Sequence, residues 1–110
     1  MTNYNKLVRD KIPEIIQKDG YHPEIRILSD EEYRKELEIK LDEECQEFHD
    51  SKQIDELADL LEVLLALNEA YGHSLDELKD VYHKKHELRG GFKDKIYLVS
   101  KRKVSIDEKN

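Results

Sequence analysis

From Leu57 to Leu67 the chain reads LADLLEVLLAL, apolar on nearly every side of a helix yet broken by Asp59 and Glu62, with Glu56 just ahead of it. A carboxylate in such surroundings is costly unless it is paired, hydrogen-bonded or bound to a metal. That requirement constrains the fold more than any other stretch. The preceding segment behaves in the same way. Leu37, Leu41, Glu44 and Phe48 follow at steps of four, three and four, the spacing of one buried helical stripe. Glu44 stands where a leucine is expected. In the second helix, Ile54, Leu57, Leu61, Leu64 and Leu65 form the expected inward stripe. The polar stretch Asp50–Gln53 is the expected connection.

Glu44 and Glu47 are three residues apart and share a helix face, as do Glu56 and Asp59. In an antiparallel pair turning between Ser51 and Lys52, residues at equal height carry numbers of constant sum. Glu47 then lies level with Glu56, and Glu44 with Asp59, about one and two turns from the connection. Four carboxylates converge, and neither motif contains a cationic side chain; Lys40 is one turn away. A solvated acidic face explains E-x-x-E alone. It does not explain a level second half-motif within an apolar helix. Mg²⁺ or Mn²⁺ is the natural counter-charge for an all-oxygen site. Glu43 and Glu62 belong to the rim of the site or to solvent.

E-x-x-E followed by E-x-x-D on neighbouring helices resembles the metal motif of the all-α NTP pyrophosphatases, which include MazG-type and phosphoribosyl-ATP pyrophosphohydrolases. Here it reads Glu44-Cys45-Gln46-Glu47 and Glu56-Leu57-Ala58-Asp59. The opening YNKLVRDKIPEII and the later KKHELRGGF resemble a small house-cleaning subgroup acting on non-canonical nucleotides. The half-motifs are joined by residues 48–55, a shorter connection than many members have. The resemblance implies hydrolysis of a nucleoside triphosphate to monophosphate and pyrophosphate. It also implies phosphate contacts from Lys84 and Arg89, and from Arg9 and Lys11 in VRDKIP, with Lys95 a further candidate. Without the resemblance, Lys84, Lys85 and Arg89 equally suit a helix C-terminus, where cations complement the dipole. His83 and His86 read as surface histidines, and Cys45 as a packing residue.

The expected fold is all-α: a helical bundle with a small β-hairpin, in one domain over residues 1–101 and a polar tail over 102–110. A helix over Pro13–Lys18 opens on its proline and stops at Asp19-Gly20. Ser29-Asp30-Glu31-Glu32 is a capping box that starts a helix at Asp30, running to about His49. Asp50 or Ser51 caps the next helix, which ends near Tyr71-Gly72. Ser74-Leu75-Asp76-Glu77 opens another, which Gly90-Gly91 terminates after Arg89. Glu24–Leu28 and the alternating Lys95–Lys101 are the candidate hairpin strands.

Charged residues make up 41% of the 110, and the net charge is −7. That balance argues against a nucleic-acid polymer as partner. A nucleotide-handling protein this acidic needs metal to offset phosphate repulsion. The lone Cys45 forms no internal disulfide, so the cytoplasm is the expected setting. No run is long enough to span a membrane. A chain this small gains from self-association. The second helix, apolar on nearly all sides, is expected to be wedged between its own chain and a partner in a homodimer or larger homo-oligomer. Two other classes remain: a di-iron carboxylate bundle, which lacks its usual Glu-x-x-His here, and a non-catalytic helical module binding metal or nucleotide.

Overall fold

The computed structural model describes residues 3–108. They are helical: α1 (Ile12–Lys18), α2 (Asp30–Ser51), α3 (Ile54–Ala70) and α4 (Leu75–Arg89), followed by a short 3-10 turn at Ile106–Glu108. The all-α class expected from the sequence is the one found. The chain divides between Lys79 and Asp80, within α4, into two compact units.

In the first unit each helix start follows from local chemistry. Pro13 lies in the opening turn of α1. Ser29 caps α2: its Oγ accepts from the Glu32 N–H at 3.2 Å, and the Glu32 carboxylate accepts from the Ser29 N–H at 3.3 Å. Arg26 donates to the other Glu32 oxygen at 2.9 Å. Arg26 and the capping hydrogen bonds hold Glu32 down at about 2, well below the usual carboxylate range. Ser74 Oγ accepts from the Glu77 N–H at the start of α4.

The connection between α2 and α3 is tighter than the sequence suggests. Neither Asp50 nor Ser51 caps α3. Both continue α2, and Lys52 ends it in the left-handed region at φ 59°, its N–H donating to the Phe48 carbonyl. Gln53 is the N-cap residue of α3 and supplies no side-chain cap. The Ser51 hydroxyl instead accepts from the Gln53 N–H. A lysine at this φ costs about 1 kcal/mol. The conformation closes the turn in two residues.

Among the described residues, α2 and α3 are the helices that pack on one another. They run antiparallel. Glu56, early in α3, meets Glu47, late in α2. Tyr71, just past α3, donates its hydroxyl to Glu38 in the first half of α2 at 2.8 Å. The expected bundle is thus represented by one helical hairpin. Leu37 (3% exposed) and Val63 (7%) are its buried apolar residues. Leu41 and Phe48 are half-buried, so the α2 stripe lies where its spacing puts it.

The α3 stripe does not. Ile54 (78% exposed), Leu57, Leu61 (55%) and Leu64 face away from α2, and Leu65 is half-buried. The side against α2 carries Glu56, Asp59, Leu60, Val63, Ala66 and Leu67. Residues advance about 100° per position on a helix. Once Glu56 and Asp59 face α2, Ile54 and Leu61 must point elsewhere.

No strand forms among the described residues. Glu24–Leu28 is irregular, with Ile25 and Ile27 exposed. In the second unit, Lys95 has a φ of 58° and donates its N–H to the Phe92 carbonyl, which breaks the extended run at its first residue. Short strands need a ladder partner to persist, and neither segment has one here. Beyond Arg102 the expected irregular tail contains the 3-10 turn, and its last two residues lie outside the described range. No described helix is long and apolar enough to cross a membrane.

Candidate metal centre

The antiparallel hairpin brings Glu44 and Glu47 of α2 level with Glu56 and Asp59 of α3. One carboxylate oxygen from each lies within 4.8 Å of the others. The short connection is what fixes this height: α2 runs on to Ser51, so its final turns reach beside the first turns of α3.

Glu44 is the central residue. It is 6% exposed, and its Oε2 has no hydrogen-bond partner. Lys40, one turn earlier on α2, brings its Nζ only to 3.9 Å from Glu44 Oε1. Burial, then the neighbouring Glu47 and Asp59 carboxylates, push Glu44 up to about 7, with Lys40 pulling the other way. Glu56 is pushed up as well, by loss of solvent and by Glu47, Asp59 and Asp55. Carboxylates this close share protons or take up a cation. The donors are all hard oxygens, and the orphaned Oε2 is an acceptor that a cation would satisfy. The residues therefore fit a metal.

The cluster is less free of positive charge than the sequence suggests. Arg9, expected to contact phosphate, places its guanidinium 2.6 Å from Asp59 Oδ1. Its segment precedes α1 and carries no helical periodicity, so no spacing rule points to this contact. Glu43 lies beside the site, with Lys6 at 3.8 Å and Lys40 at 3.5 Å from its Oε1. Glu62 is exposed.

The other expected phosphate contacts are exposed side chains. Lys11 is the N-cap residue of α1. Lys84 and Arg89 lie on the second unit's part of α4, with Arg89 its last residue, and Lys95 follows in the Phe92–Lys95 turn. Gly90 closes α4 at φ 76°, donating its N–H to the His86 carbonyl, as the Gly-Gly pair leads one to expect. The rings of His83 and His86 both lie beside Tyr82, at 5.3 and 6.0 Å between centroids.

No protein-family model matches the chain, and no solved structure matches it. An uncharacterized protein of Mycolicibacterium smegmatis (strain ATCC 700084 / mc(2)155) is 57% identical over 42 residues. The match covers 38% of this chain and 43% of that protein, so the chain spans less than half the relative's length.

Proposed function

We propose that this chain is a nucleoside triphosphate pyrophosphohydrolase that depends on Mg²⁺ or Mn²⁺ and clears non-canonical nucleotides. One water is added across the bond between the α and β phosphates, giving a monophosphate and pyrophosphate. The observation that carries the reading is the four-carboxylate cluster around Glu44, whose buried Oε2 has no partner. The likeness of both half-motifs, and of VRDKIP and KKHELRGGF, to the all-α NTP pyrophosphatases supports the choice of reaction.

In this reading Glu44, Glu47, Glu56 and Asp59 hold the cation, which neutralises phosphate oxygens and acidifies a bound water. The role of the protein is otherwise positional. Lys6 and Lys40 hold Glu43 at the rim, outside the ligand set. Arg9 and Lys11 offset the remaining phosphate charge, Arg9 by bidentate contact. The working form is a homodimer or larger homo-oligomer in which a second copy covers Ile54, Leu57, Leu61 and Leu64. Their exposure on one side of α3 supports this.

The test is a panel of ordinary, deoxy, oxidised and deaminated nucleoside triphosphates incubated with Mg²⁺. Pyrophosphate and monophosphate should appear in equal amounts, and chelator should stop the reaction. Orthophosphate released from the terminal position overturns the assignment. Metal or nucleotide binding without turnover across the panel returns the chain to the class of non-catalytic binding modules.

A further inference from the structure

We infer that Arg9 is a built-in competitor at the carboxylate cluster: its guanidinium occupies Asp59 while the site holds no metal, and a divalent cation must displace it to bind. The inference rests on the metal reading above.

First, among the described residues Arg9 is the cation closest to any of the four carboxylates, at 2.6 Å from the Asp59 oxygen. Lys40, at 3.9 Å from Glu44, is beyond hydrogen-bonding distance and leaves Oε2 unpartnered. Second, Asp59 is no isolated surface acid. One oxygen from each of Glu44, Glu47 and Glu56 lies within 4.8 Å of its own, so a positive charge placed on Asp59 is felt by all four. A cation bound among these oxygens would sit a few ångströms from the guanidinium, and like charges at that range repel. Third, Arg9 is free to leave. It belongs to a segment outside the helices, fifty residues from Asp59 in sequence, and both side chains are about half exposed. Lys40, by contrast, is fixed on α2 one turn from Glu44. When the metal arrives, Arg9 is released beside the site, available for a substrate phosphate.

A merely structural role would make the ion pair a tether that fastens the N-terminal segment to α3. The two roles move metal affinity in opposite directions. As a competitor, Arg9 weakens binding; as a tether that orients Asp59, it strengthens binding. The full chain, stripped of metal with chelator, is titrated with Mn²⁺ while free ion is followed by electron paramagnetic resonance. Arg9→Gln should bind Mn²⁺ about fivefold more tightly than the unaltered chain, the scale of one partly exposed ion pair. Arg9→Lys, which keeps the charge but loses the planar fork, should fall between. Lys18→Gln removes the same charge from α1, where Lys18 pairs with Glu14, and should change nothing. Circular dichroism checks that each variant is folded. Unchanged or weaker Mn²⁺ binding in folded Arg9→Gln overturns the inference and leaves the metal reading standing. An equal gain in Lys18→Gln also overturns it, because net charge alone would then explain the effect. Absence of Mn²⁺ binding in every protein overturns the metal reading, and this inference with it.

Discussion

The two sides of α3 reverse the usual division between inside and outside. The side packed on α2 carries two carboxylates, Glu56 and Asp59, among Leu60, Val63, Ala66 and Leu67. The side turned away carries Ile54, Leu57, Leu61 and Leu64. A helix placed by hydrophobicity alone would turn the other way. The energy of burying Leu61 and Leu64, about 1.5–3 kcal/mol each when complete, is left unclaimed within the chain. The acidic side faces inward, level with the acids of α2. That arrangement is stable only if protons, cations or both offset the repulsion. In the proposed reading the inner side holds a cation and the outer side meets a second copy, and the two roles can be broken separately.

The largest effect is expected from Asp59→Asn on the inner side. It preserves shape and removes one ligand charge. Turnover should fall by more than the roughly 10- to 100-fold that changes to outer-shell groups cost. The rise in melting temperature on adding Mg²⁺ should shrink with it. Metal-free stability should change little, because losing the Arg9 ion pair is offset by relief of repulsion from Glu44 and Glu56. Kinetics and thermal melts in chelator-treated samples check all three. If turnover survives intact, Asp59 serves only to hold Arg9.

Next comes a pair of neighbours on opposite sides. Val63 is buried against α2, whereas Leu64 is 44% exposed. Val63→Asp buries an unpaired charge and should unfold the chain. Leu64→Asp should leave helical content unchanged and reduce the mass seen by light scattering to that of the 13.1 kDa chain. The unaltered protein should show at least twice that mass. A folded, native monomer would remove the contact role from the outer side.

The sequence contained enough to orient α3 correctly. At constant sum, Glu56 and Asp59 stand against Glu47 and Glu44, which is where they are found. On a helix that choice also sends Leu60, Val63 and Leu67 inward, because they share the face of Glu56 and Asp59. Reading Ile54, Leu57, Leu61 and Leu64 as the inner stripe is incompatible with it, since Ile54 lies about 200° from Glu56. Leucine count points to the wrong face here, and the costly carboxylates constrain the helix more tightly. The capping boxes at Ser29 and Ser74 were legible because their chemistry is local. The caps expected at Asp50 or Ser51 were not found, because polar residues that suit a cap also continue a helix when the turn needs only two residues. The Arg9–Asp59 pair joins residues fifty apart and left no periodic trace. The hairpin expected from Glu24–Leu28 and Lys95–Lys101 rests on β-branched residues in the first segment and alternation in the second, and neither says whether a partner strand is at hand.

The smallest effect, and the sharpest for the inner side, is the pH dependence of the metal-free protein. Glu44 titrates near 4.5 in the unfolded chain and at about 7 when folded. Between those values the folded state binds more protons than the unfolded state, so stability falls as pH rises. The penalty is absent below 4.5 and complete above 7. Glu56, shifted in the same direction, adds to it. Glu32 works the opposite way, but its contribution is lost only as pH falls from 4.5 towards 2, so a scan from pH 5 to 8 leaves it constant. The melting temperature of the chelator-treated protein should therefore drop by roughly 10 °C between pH 5 and 8. Glu44→Gln cannot ionise, and its amide can donate to Glu47 as the protonated acid would. Its melting curve should match the unaltered chain at pH 5, stay flatter as pH rises, and lie above it at pH 8. Saturating Mg²⁺ should reverse the order at pH 8, because the unaltered carboxylate then has a cation in place of the proton. Parallel curves for the two proteins without metal would mean that Glu44 ionises freely in the folded state. Its buried oxygen would then be satisfied by water, and the inner side of α3 would carry no strain for a metal to relieve.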